Sequence, residues 1–92
     1  MNYQQINSNL CETTGLQTIR SKFKCEVAAI YLGLKDTIAD EDNTLSRPNG
    51  CHYTRSNNRL GWNPSGGSTK CGSSDAGRRY SCICAVPGSR RS

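Results

Sequence analysis

Apolar residues are sparse along the chain, and their spacing carries most of the early information. Phe23, Val27, Ile30 and Leu34 fall at i, i+4, i+7 and i+11, the period of one helical face. Ser21 is a preferred N-cap residue, and Gly33 suits the left-handed position after a helix. The pattern therefore predicts a helix over 22–32. Cys25 lies off that row beside Val27–Ala28–Ala29, where two small alanines would let another element approach closely.

Beyond the helix the period changes. Residues 51–54 and 59–63 are short extended runs on either side of Ser56-Asn57-Asn58, a turn-forming group, which reads as a hairpin over 51–63. Arg47-Pro48-Asn49-Gly50 forms a turn leading into it. Residues 80–86 read as a last strand, in which Cys82 and Cys84 share one face and need two different partners. Residues 35–44 form an acidic loop, and 64–77 a Gly/Ser-rich loop pinned by Cys71. The expected fold class is α+β, one helix packed on a small antiparallel sheet. The expected domain covers 11–86, with a flexible segment at 1–10 and a flexible basic tail at 87–92.

Composition changes what must hold this fold together. With 92 residues there is room for one small domain. Apolar residues, cysteine included, make up only 34%, a lean core for a chain that buries roughly 60–65% of its unfolded surface. Six cysteines offset this if they form three disulfides, each contributing about 2–4 kcal/mol. An even count in a short polar chain points to an oxidising compartment, and secretion is the expected setting. The first ten residues have no basic and apolar signal-peptide pattern, so a leader is expected to have been removed already. No apolar run is long enough for a transmembrane helix.

The net charge of +5 is unevenly placed: residues 1–46 carry −2 and residues 47–92 carry +7. The second half is suited to an acidic surface such as an anionic polysaccharide, lipid headgroups or nucleic acid. No helix-turn-helix, RNP or zinc-finger pattern accompanies the basic residues, so no specific nucleic-acid partner is expected.

Candidate chemistry narrows the reading further. Cys71, Cys82, Cys84 and His52 would make a Cys3His zinc set, but the close ligand pairs of a zinc knuckle are missing. The acidic run Asp36, Asp40, Glu41, Asp42 lacks the alternation of a calcium loop. His52 is the only histidine, with no nucleophile pattern beside it. Neither a cofactor nor an enzymatic activity is expected. Trp62 stands beside Asn63 and near Tyr53 and Asn57, and an aromatic face with nearby amides suits a sugar ring. Trp62 equally suits the hydrophobic plug of a lean core.

The full set of spacings carries a resemblance. Cys11, the helix Cys25-Glu-Val-Ala-Ala-Ile-Tyr-Leu-Gly, Arg47-Pro-Asn-Gly-Cys51, Trp62-Asn63-Pro64 and Ile83-Cys84 resemble a four-cysteine module recurring in predicted secreted proteins of algae and dinoflagellates. The likeness spans residues 11–84 and implies an extracellular setting, with no biochemical activity attached. It implies pairs Cys11–Cys84 and Cys25–Cys51, with Cys71–Cys82 as an additional pair stapling the Gly/Ser loop to the last strand. His52 departs from the module, which has tyrosine there.

These readings converge on a secreted binding or assembly module working at an extracellular glycan or protein surface, anionic surfaces among the candidates. Tyr53, Asn57, Trp62, Asn63, Arg78 and Arg79 are the candidate contacts. A cationic defence peptide and a self-assembling subunit are the rivals. The mixed character of the helix speaks against the first.

Overall fold

A computed structural model of the chain describes residues 2–87 apart from 42, 44, 46, 55, 66–68, 73, 76 and 77, with backbone alone for 74, 75 and 78. The expected tail at 88–92, Asp42 of the acidic run and much of the Gly/Ser loop lie outside the described residues. The elements are β1 (Tyr3–Ile6), a 3-10 turn (Glu12–Thr14), β2 (Gln17–Thr18), α1 (Lys22–Leu32), β3 (Asp40–Glu41), β4 (Gly50–Thr54), β5 (Arg59–Asn63), β6 (Ser74–Asp75) and β7 (Arg78–Ala85).

The strands run in the order β1-β7-β4-β5-β3, and β2 and β6 also pair with β7. The β4–β5 hairpin pairs Cys51 with Trp62, His52 with Gly61 and Tyr53 with Leu60. Its turn includes Asn58 at φ 53°, a left-handed conformation asparagine tolerates. The domain is thus the small disulfide-rich α+β fold expected, with a larger sheet that is not wholly antiparallel. β3 joins β5 in parallel, opposite Gly61 and Trp62. Asp36 brings the chain back to that edge by accepting the Leu60 amide at 2.9 Å.

Residues 3–6 also differ from the expected flexible flank. They form an antiparallel edge strand on β7, with Tyr3 opposite Ala85 and Ile6 opposite Cys82. Without them the outer edge of β7 would expose unpaired peptide groups. The Gln5 side-chain amide donates to Ser81 Oγ at 2.7 Å, and Tyr3 meets Tyr31 edge to face at 5.6 Å. Long-range side-chain pairing of this kind leaves no local signature in a polar decapeptide.

Helix α1 begins and ends where the caps dictate. The Lys24 amide donates to Ser21 Oγ, and Gly33 takes φ 71° with its amide on the carbonyls of Ala29 and Ile30. The side it turns to the sheet is the one carrying the two small alanines. Cys25, Ala28 and Ala29 are fully buried, whereas Phe23 is 72% and Ile30 65% exposed. The cause is the disulfide from Cys25 to Cys51 of β4, with Cα atoms 5.3 Å apart. So short a tether brings helix and sheet backbones together, and only small side chains fit between them. Phe23 and Ile30 are turned outward as a consequence, while Leu34 packs partly against the core.

The sheet has a small core on each face. On the helix side, Cys25, Ala28, Ala29, Cys51, Tyr53, Leu60, Trp62 and Ile83 pack together. On the other side, Cys11, Cys71, Cys82 and Cys84 cluster beside Ile6 and Leu16. The second core consists of two disulfides, Cys11–Cys84 and Cys71–Cys82. Sequence separations of 73, 26 and 11 residues rank the three bonds by loop entropy at about 4.4, 3.5 and 2.8 kcal/mol.

Glu12 fastens the turn before α1. Its carboxylate accepts the Thr18 amide at 3.0 Å and the Thr18 hydroxyl at 2.9 Å. Burial raises its pKa, but the hydrogen bonds from the Thr18 hydroxyl and amide, its own amide and the charge of Arg20 outweigh this and hold it below the usual carboxylate range.

Two predictions follow from this geometry. Phe23→Ala should change stability by less than about 0.5 kcal/mol, whereas Ala29→Leu should cost about 1–3 kcal/mol, both read from urea midpoints. The opposite ranking would return the Phe23 row to the core. For Glu12 the folded pKa lies below the unfolded one. Its contribution is therefore complete above the ordinary carboxylate range and lost as pH falls through the lowered value. The stability gap between the parent protein and Glu12→Gln should narrow on acidification, and a pH-independent gap would refute the assignment.

Candidate functional site

Side chains alternate along a strand, so the hairpin sorts its own residues. Cys51, Tyr53, Leu60 and Trp62 go to the helix-side core, and His52, Thr54, Arg59, Gly61 and Asn63 take the opposite face. On that face β7 places Tyr80 opposite Thr54. There the sheet forms the floor of a cleft of about 400 Å³, lined by Asp40, Arg47, His52, Thr54, Asn57, Arg59, Leu60, Gly61 and Tyr80. Its volume lies within the usual range for small-ligand sites.

The floor is built by close packing. Gly61 sits against the His52 ring, and a Cβ at position 61 would lie 2.1 Å from Cε1 of the imidazole. His52 in turn meets Tyr80 edge to face, with centroids 5.4 Å apart and planes at 87°. Arg47 lies over the Tyr80 ring, its Cζ 5.2 Å from the centroid, a cation–π arrangement. Asn63 fixes the approach of Arg47. Its side-chain amide donates to the Arg47 and Pro48 carbonyls at 3.1 and 3.2 Å, and its oxygen accepts the Ser65 amide.

At the rim, Arg59 pairs with Asp40 at 2.7 Å, both side chains more than half exposed. An ion pair this open is worth about 0–1 kcal/mol, little enough for an incoming polar group to displace it. Asn57 stands exposed on the hairpin turn. The cleft thus combines two guanidinium groups, a carboxylate, an amide and a hydroxyl over a rigid floor. Such a set has the chemistry to hold an oxygen-rich ligand through several directional hydrogen bonds.

The six contacts expected from the sequence fall on separate surfaces. Asn57 alone among them lines the cleft. Tyr53 is buried on the helix side, its hydroxyl donating to Asn58 Oδ1 at 3.1 Å. Trp62 is 9% exposed and edges a smaller hollow of about 280 Å³ with Thr18, Ile19, Arg20, Asn49 and Pro64. Asn63 is fully buried and holds the turn at Arg47 and Pro48. Arg79 is exposed on β7, and the side chain of Arg78 lies outside the described atoms. Cys71, Cys82 and Cys84 are all disulfide-bonded and hold no thiolate for zinc. The acidic loop is likewise engaged, with Asp36 on the amides of Ile38 and Leu60 and Asp40 on Arg59.

Arg47, Thr54 and Tyr80 were not among the expected contacts. A signal for Thr54 exists in the hairpin register, because pairing Cys51 with Trp62 puts His52 and Thr54 on the face away from the core and opposes His52 with Gly61. Comparison of the chain with protein-family models, curated proteins and solved structures finds no match. Among the described residues no helix is long and apolar enough to cross a membrane.

The floor predicts a coupling between two positions. Gly61→Ala should cost about 1–3 kcal/mol through overpacking against the imidazole. Combined with His52→Ala, it should cost much less than the sum of the single changes. Simple additivity in thermal or urea unfolding would show that the two do not press on each other.

Proposed function

We propose that the protein is a secreted, non-enzymatic binding module that holds a short acidic saccharide in the cleft formed by β4, β5 and β7. The observation that carries this reading is the lining of that cleft. Arg47 and Arg59 match a sugar carboxylate, and Asn57, Thr54 and Asp40 match hydroxyl groups, over a floor fixed by Gly61, His52 and Tyr80. Three disulfides support an oxidising, extracellular setting, as does the resemblance to the secreted algal module. A rigid floor also lowers the ordering cost of binding. The cleft replaces Trp62 as the proposed contact surface, because Trp62 is mostly committed to the core.

The test is retention of the oxidised protein on immobilised polygalacturonate against a neutral glucan, at low and at high salt. Retention on the acidic polymer should persist beyond about 0.3 M salt, where long-range attraction is largely screened. Arg47→Ala and Asn57→Ala should each weaken it about tenfold, with Trp62-monitored folding unchanged. Binding that vanishes with salt and ignores both substitutions would reduce the effect to bulk charge and overturn the reading. No binding at any salt would overturn it as well.

A further inference from the structure

The exposed face of α1 is independent of the cleft. Phe23 and Ile30 are 72% and 65% exposed. At about 100° per residue they lie within roughly 20° of each other around the axis, on the side opposite Cys25, Ala28 and Ala29. Val27 lies about 40° from Phe23, on the side away from Ile30, and is half-buried. Lys22 and Lys24 stand about 100° to either side of Phe23, and both are exposed. Arg20 and Lys35, just outside the two ends of the helix, are exposed too. The one carboxylate on the helix, Glu26, accepts the Ala39 amide at 2.9 Å and is turned towards the following loop.

From this arrangement we infer that α1 docks the protein on an anionic lipid surface, with Phe23 and Ile30 entering the headgroup boundary and Lys22, Lys24, Arg20 and Lys35 meeting the lipid charge. The helix as a whole is mixed in character, so the contact rests on these two exposed apolar side chains and the basic groups around them rather than on a continuous amphipathic face. Lysine stems reach along apolar surface while their ammonium groups stay among the headgroups. A second copy of the chain is a poorer occupant. Two such helices would bring basic flanks against each other. A helix of 11 residues is about 16 Å long, too short to cover the roughly 800 Å² per partner of a standard interface.

Orientation by the disulfide gives the proposal its structural basis. The Cys25–Cys51 bond holds the small face of the helix against the sheet, so the two apolar side chains are presented without any conformational change. The saccharide cleft lies on the other face of the sheet and would remain open to the outside.

The experiment is co-sedimentation of the oxidised full-length protein with vesicles of phosphatidylcholine alone and of phosphatidylcholine with phosphatidylserine. Binding is expected on the anionic vesicles only. It should fall at least tenfold in Phe23→Ser/Ile30→Ser and in Lys22→Glu/Lys24→Glu, and stay unchanged in Arg47→Ala, which tests the cleft instead. Circular dichroism and a mass confirming three disulfides establish that each variant is folded. Absence of binding to anionic vesicles would overturn the proposal. So would binding that survives Phe23→Ser/Ile30→Ser, which would assign it to charge elsewhere. A concentration-dependent dimer in light scattering, lost in the same variant and seen without vesicle binding, would assign the two side chains to a second copy and overturn it too.

Discussion

Strand β7 pairs with β1 along one edge and with β4 along the other, and β2 and β6 add to it. Its alternation then serves both faces at once. Ile83 is fully buried in the helix-side core, while Cys82 and Cys84 point the opposite way into the disulfide cluster. Between Tyr80 and Cys84 the strand has no solvent-facing side to spend on polar residues. Ser81, buried between β1 and β4, is accommodated because its hydroxyl accepts from Gln5 and donates to the Tyr53 carbonyl at 3.1 Å. Buried polar groups without partners would cost about 1–3 kcal/mol each, so the edges on both sides of β7 must form for the strand to be stable at all.

The disulfides complement this strand where apolar volume runs short. Below the sheet, sulfur atoms take the place of a second layer of helix or sheet, since four cysteines make up the buried cluster there. Above it, a single bond sets both the distance and the rotation of α1. The helix could not be rotated to bury Phe23 without displacing Ala28 and Ala29 from the sheet and stretching the Cys25–Cys51 link. Covalent geometry outranks the hydrophobic pattern here, which is the reverse of the usual order in larger domains with ample cores.

Local chemistry made much of the fold legible. The limits of α1 follow from Ser21 and Gly33, and the hairpin follows from its turn residues and short extended runs. What escaped was set by contacts distant in sequence. Recruitment of β1 depends on the far end of the chain, and the parallel addition of β3 depends on Asp36 reaching Leu60. The candidate site was only partly legible for a related reason. Aromatic residues near amides in sequence suggested one surface, but Tyr53 and Trp62 share the parity of Cys51 and so belong to the core. Asn57 keeps its place because it lies on the turn rather than in a strand.

Charge shows the same distinction between the linear chain and the folded one. By count, the first half is acidic and the second basic. In the fold, however, several acidic groups of the first half are occupied close to the backbone. Glu12 holds Thr18, Glu26 holds the Ala39 amide, Asp36 holds the amides of Ile38 and Leu60, and Asp40 pairs with Arg59. Arg20, Lys22, Lys24 and Lys35 remain exposed around α1. A half that is net negative as a string therefore presents a basic helix surface as a structure. Electrostatic effects at a surface decay over about 8–10 Å in physiological salt, so an approaching partner senses that local arrangement rather than the sum over forty-six residues. This is why the helix, and not only the basic second half, belongs among the surfaces proposed for an anionic partner.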